Sequence, residues 1–80
     1  MNIDYLKTFL YVLKKGSISK AAEEIHISQS ALSQQIKAME KLLGCALLIR
    51  GPKGVYPTME GKIVRPYANG IIQGYDQMMM

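Results

Sequence analysis

Between His26 and Glu40 the chain reads HISQSALSQQIKAME. Its polar positions carry Ser and Gln, where most solvent-facing helices carry Glu and Lys. A hydroxyl donates one hydrogen bond and accepts two, a carboxamide does both from fixed positions, and neither carries charge. Such groups suit the reading of a surface patterned in donors and acceptors. They do little acid–base or nucleophilic chemistry unless a base is held beside them. The sequence offers no such arrangement: a single His, scattered carboxylates, no Ser/His/Asp set and no phosphate-binding glycine loop. His26 and Cys45 alone cannot build a zinc site. The chain is therefore read as a non-enzyme without metal or cofactor.

The elements that position these residues follow from apolar spacing. Ile3, Leu6, Phe9, Leu10 and Leu13 form one apolar face of a helix over residues 3–15, ended by Gly16. Tyr5, Tyr11 and Val12 lie off that face, and apolarity on two sides calls for a second chain or a central place in the fold. Ser17 caps a short helix from about 18 to 25, whose inner side is Ala21, Ala22 and Ile25. The connection at 26–28 is tight, which makes a helix-turn-helix over 18–37. Ser28 caps the next helix, which runs to about 43 and stops at Gly44. Leu32, Ile36, Met39 and Leu43 point it at the core. At 100° per residue, Gln29, Ser30, Ser33, Gln34 and Lys37 fall in a separate arc of about 140°.

CALLI at 45–49 suits a short buried strand, RGPKG at 50–54 a turn, and VYPT at 55–58 a returning strand with Pro57 at an edge. This is a β-hairpin over 46–58 tipped with Arg50 and Lys53. Thr58 caps a last helix over about 59–79. Its apolar positions, among them Ile63, Val64, Tyr67, Ile71, Tyr75 and Met78, approach a coiled-coil seam, with Pro66 expected to kink it. The fold class is mainly α: a three-helix core with a two-stranded wing over residues 1–58, then a long linker helix over 59–80.

The major groove of B-DNA admits one helix, and Gln and Ser can both meet base edges there. A capped helix start also attracts phosphate through its free N–H groups. Gln29, Ser30, Ser33 and Gln34 are the expected groove readers. Lys37, Arg50 and Lys53 are the expected phosphate or minor-groove contacts, with Ser17 and Ser28 at helix starts where phosphate can approach. The net charge of +4 sits entirely in residues 1–58. His26 is read as closing the turn and Cys45 as a small core hydrophobe. No apolar run reaches the ~20 residues of a membrane helix, and the N-terminus lacks a signal-peptide pattern.

From Gly16 to Arg50, GSISKAAEEIHISQSALSQQIKAMEKLLGCALLIR resembles the DNA-binding head of LysR-type transcriptional regulators. The resemblance rests on Gly16-Ser17, Ala21-Ala22, the run Ser28-Gln29-x-Ala31-Leu32-Ser33, Ile36, Glu40, Leu43-Gly44, Leu47 and Arg50, followed by Gly54, Thr58 and Gly61. It implies a winged helix-turn-helix that binds double-stranded DNA as a homodimer, pairing through the first helix and the linker helix. Tyr5, Val12, Ile63, Val64, Tyr67, Ile71, Tyr75 and Met78 are the expected contacts. It implies a cytoplasmic, nucleoid-associated bacterial regulator, with RNA polymerase as a further partner. Members carry an effector-binding domain after the linker helix. This chain is expected to be either an excised fragment or a natural stub, and a stub could instead pair with a full-length relative and modulate it. Four residues depart from the family pattern: Ser30 for Pro, Gln34 for Arg, Leu48 for Phe, and Pro57 for Leu, the last expected to disturb the second wing strand.

Overall fold

The computed structural model describes all 80 residues. Helix α1 spans Ile3–Lys15, α2 Ile18–Glu24, α3 Gln29–Leu43 and α4 Met59–Met78, with strands β1 Leu48–Gly51 and β2 Gly54–Pro57 between α3 and α4. Each helix start is capped by its own sequence. The side chains of Asn2, Ser17, Ser28 and Thr58 accept from Asp4, Lys20, Ala31 and Gly61 N–H respectively, which satisfies groups a helix leaves unpaired. Gly16 and Gly44 close α1 and α3.

The turn between α2 and α3 is a Schellman closure with His26 in the position that usually holds glycine. His26 has φ 61°, its N–H reaches the Glu23 carbonyl, and Ile27 N–H reaches back to Ala22 at 3.1 Å. His26 thus closes the turn through its backbone, as read from the sequence, with its side chain exposed.

One core joins all the elements. Phe9, Val12, Ala21, Leu32, Ile36, Met39 and Leu47 are its most buried members, with Val55 from β2 and Ala68 from α4. The alanines of α2 let it lie close against its neighbours. The inner face of α1 is rotated from the one drawn by spacing: Leu6, Thr8, Phe9 and Val12 are buried, whereas Ile3, Leu10 and Leu13 are only partly so. Val12 is completely inaccessible in the single chain, so it has no surface to give a partner, contrary to expectation. α1 keeps a polar side of Asp4, Lys7, Lys14 and Lys15 and packs against α2, α3, β2 and α4 with the side opposite, so its inner face is centred on Phe9 and Val12, one step round from the Ile3–Leu10 spacing. Leu43, expected in the core, is exposed, as is Leu42 beside it in the last turn of α3. Thr8, buried at 4%, donates to Gln35 Oε1 at 2.7 Å and ties α1 to α3.

The hairpin pairs Leu48 with Pro57, Ile49 with Tyr56, Arg50 with Val55 and Gly51 with Gly54. Its turn is Pro52-Lys53. The strand therefore starts three residues later than CALLI suggests, and Arg50 lies within β1, not at the tip. Pro57 does not abolish the second strand. It sits at the strand's end in a two-stranded sheet, where an absent N–H costs little.

Residues 45–47 are a connector outside helix and strand, held by side-chain and backbone hydrogen bonds. The Glu40 carboxylate accepts from Leu47 N–H at 2.7 Å and more weakly from Leu48 N–H. Thr58 hydroxyl donates to Ala46 carbonyl at 2.7 Å, and Thr58 N–H to Leu47 carbonyl. On the other side of the hairpin, Val55 N–H bonds Gly16 carbonyl. Gly54 lies so close to that carbonyl that a Cβ would stand 2.5 Å from its oxygen. Gly61, in the first turn of α4, is equally pressed onto the Leu47 carbonyl. α4 continues as one helix through Pro66, and its last turns meet α1 where Lys7 lies 3.9 Å from Asp76 and over the Tyr75 ring.

Two substitutions test these attachments by thermal melting. In an unpacked helix Gly→Ala stabilises by about 1 kcal/mol. Gly61→Ala is expected to reverse that sign and destabilise by about 1–3 kcal/mol, because its methyl meets backbone. Glu40→Ala is expected to cost about 1–3 kcal/mol by stranding the Leu47 N–H. A stabilised Gly61→Ala would show that the connector is loose.

Candidate nucleic-acid interface

The N-terminal half of α3 stands free on its outer side. Ser28, Gln29, Ser30, Gln34 and Lys37 are exposed and Ser33 is half-buried at the edge facing β1. The division arises from helix geometry: Leu32, Ile36 and Met39 point inward, Gln35 turns to α1, and the remaining arc is left to solvent. The two neighbouring glutamines thus do different jobs, Gln35 in packing and Gln34 at the surface.

β1 runs beside this face. Arg50 Nη2 donates to Ser33 Oγ at 3.0 Å, and two turns further along the same side of α3 Glu40 grips the start of the hairpin. Between the start of α2, the start of α3 and the hairpin lies a cleft of about 380 Å³ lined by Ser17, Ser19, Gln29, Ser30, Ser33 and Arg50 together with hairpin backbone. Ser17 Oγ caps α2 and lies 3.1 Å from Ser19 Oγ. Of the residues singled out from the sequence, Ser17, Gln29, Ser30, Ser33 and Arg50 converge on this cleft. Ser28, Gln34, Lys37 and Lys53 do not line it. Gln34 and Lys37 continue the exposed face of α3, and Lys53 occupies the hairpin turn. The sequence had left Gly51 and Gly54 as turn residues, and their place as cleft wall was missed. Its signal is the lack of side chains at two positions facing a helix start.

No carboxylate lines the cleft. Glu40 is engaged with backbone, and Glu24 receives Lys15 at 2.6 Å across the α1–α2 junction. The Glu24 hydrogen bond and its charge raise the Lys15 pKa above the usual lysine range. That pair lies outside the cleft. No three His, Cys, Asp or Glu side chains converge to hold a metal ion, and no helix is long and apolar enough to cross a membrane. The arrangement offers neutral donors and acceptors flanked by cations, two helix starts and no anion.

A second surface lies on α4. Ala68 and Gly61 face the core, with Val64 and Ile72 partly buried beside them. Ile63, Tyr67, Ile71 and Met78 form an exposed apolar stripe, each more than half accessible, with Tyr75 less so. Tyr5, by contrast, packs partly against the core.

Comparison with known proteins agrees with this geometry. Residues 3–62 match the sequence model of the bacterial regulatory helix-turn-helix proteins of the lysR family. The nitrogen assimilation regulatory protein nac of Escherichia coli K12 is 42% identical over 80 residues, all of this chain and 26% of that protein. The transcriptional regulator BenM of Acinetobacter baylyi is 38% identical over 79 residues, 99% of this chain and 26% of that protein. The chain thus spans about a quarter of the length of these curated relatives. Among solved structures, a complex of the BenM DNA-binding domain with catB site 1 DNA superimposes with a TM-score of 0.92 at 38% identity, covering 99% of this chain and 89% of that one. The CbnR DNA-binding domain in complex with DNA does so with a TM-score of 0.93 at 31% identity, covering 98% and 90%. The chain, a winged helix-turn-helix followed by a long helix, belongs to the lysR family of bacterial regulatory helix-turn-helix proteins.

Proposed function

We propose that this chain is a sequence-specific DNA-binding module of a transcription regulator, acting on double-stranded DNA as a homodimer. The observation that carries this reading is the free outer arc of α3: neutral Ser and Gln groups on a capped helix start, bordered by Arg50 and devoid of carboxylates. α3 enters the major groove with Gln29, Ser30, Ser33 and Gln34 toward base edges. Phosphates meet the N–H groups of the α3 start and the Ser17 and Ser28 caps, and Lys37 draws the backbone in. Lys53, at the tip of the wing, reaches the flanking phosphates or minor groove. The DNA complexes of the BenM and CbnR domains support this assignment.

Dimerisation is assigned to α4 and the exposed flank of α1. Ile63, Tyr67, Ile71 and Met78 form a stripe that a lone chain leaves in water, with Val64, Tyr75 and Tyr5 at its margins. Residues 1–58 then form the reading head and 59–80 the pairing arm. Two-fold pairing places two copies of α3 on half-sites one helical turn or a multiple apart, so the target is an interrupted inverted repeat. Such a regulator works in the cytoplasm on the nucleoid, in contact with RNA polymerase.

Sedimentation of the chain alone, then with a pool of random duplexes at two salt concentrations, tests the whole reading. A dimer whose binding falls steeply with salt and which enriches a two-fold site is the expected result. A dimer indifferent to DNA at low salt overturns it. Ser33→Ala is expected to relax preference at one position per half-site. Lys53→Ala is expected to weaken all sequences alike and reduce the salt slope by about 1. Tyr67→Glu is expected to sediment as a monomer and to lose the preference for paired over single half-sites.

A further inference from the structure

The hydrogen bond between Arg50 and Ser33 decides what the Ser33 hydroxyl can offer a ligand. Arg50 Nη2 donates to Ser33 Oγ at 3.0 Å, so the guanidinium occupies an acceptor site of that oxygen. Arginine carries five N–H donors and no acceptor, and it stays charged. The direction of this bond is therefore fixed. A hydroxyl that accepts from a cation is polarised into a stronger donor. The adjacent positive charge also repels a second donor approaching the same oxygen. Ser33 is left with its own proton to give, and that proton has no protein acceptor: the Arg50 bond is the hydrogen bond Ser33 makes through its side chain.

We infer that Arg50 is a positioning residue that sets Ser33 as a hydrogen-bond donor, so the base Ser33 meets must present an acceptor in the major groove. This rests on the DNA-binding reading above. Guanine offers N7 and O6, adenine N7 and thymine O4, whereas cytosine offers only its amino donor there. Cytosine is the base this device excludes. A free serine makes no such choice, because its hydroxyl rotates to give or accept. The wing thereby contributes to sequence choice without touching a base.

Binding-site selection from random duplexes, run in parallel with the wild-type chain, Ser33→Ala, Arg50→Met and Arg50→Ala, tests this. Arg50 is exposed, and an unchanged melting temperature verifies that each variant is folded. The wild-type chain is expected to deplete cytosine about tenfold at one position per half-site, the size of a single mismatched base pair. Ser33→Ala should relax that same position. Both Arg50 variants should admit cytosine there while leaving preferences elsewhere intact, in addition to a uniform loss of affinity. A merely structural or phosphate-binding Arg50 would lower affinity and leave the base profile unchanged. Persistent cytosine exclusion in the Arg50 variants overturns this inference alone, as does a wild-type chain that accepts cytosine wherever Ser33→Ala relaxes the site. A wild-type chain that enriches no sequence overturns the DNA-binding reading and this inference with it.

Discussion

The structure hangs on the way the backbone of one buried residue is satisfied. Leu47 is fully buried in a connector that belongs to neither a helix nor a strand. Its N–H is taken by the Glu40 carboxylate and its carbonyl by Thr58 N–H. A buried backbone group left unpaired costs about as much as a sizeable fraction of a small domain's stability. The connector therefore stays where α3 supplies the acceptor, Thr58 supplies the donor, and Gly61 leaves room for the carbonyl. Through that one residue the directions of α3, the wing and α4 are set together.

This attachment explains why the wing lies along α3 and not away from it. Glu40 and Ser33 are seven residues apart, about 10 Å along one side of the helix. Glu40 holds the beginning of the hairpin and Ser33 receives Arg50 from its middle. The bond from Val55 N–H to Gly16 carbonyl fixes the returning strand to the end of α1. Two short strands alone would be marginal in water. Held at both flanks, they become a rigid neighbour for the exposed face of α3.

Local chemistry made most of this legible in the sequence. Ser17, Ser28 and Thr58 cap the helices they were read to cap, and the turn at His26 closes as expected. What escaped were features set by distant partners. Val12 is buried where Leu10 was expected, because the inner face of α1 lies opposite Asp4, Lys7, Lys14 and Lys15, and apolar spacing alone places that face one step round. The strand begins at Leu48, beyond apolar Cys45–Leu47, because Glu40 replaces a partner strand there. Arg50 was read as a tip residue from its nearness to Pro52 and the glycines, but the two-residue turn leaves it inside β1. The Ser/Gln arc of α3 could be read because helical periodicity alone decides which residues share a side. Its companionship with Arg50 could not, since that depends on the register of the hairpin.

Gln34 and Gln35 show how cleanly α3 separates two duties within adjacent residues. Gln35 is locked to Thr8 inside the protein, while Gln34 touches nothing that the fold requires. The same holds for Gln29, Ser30 and Lys37. These positions can therefore drift through many side chains without threatening the folded state, since exposed substitutions away from caps and packing change stability little. On the base-reading role proposed for these positions, a lineage carrying this scaffold could be re-keyed to new recognition sequences by mutations that folding does not filter out. Novelty in what is read then comes without a prior gain in stability to absorb it, whereas a reader built from core residues would have to evolve both at once.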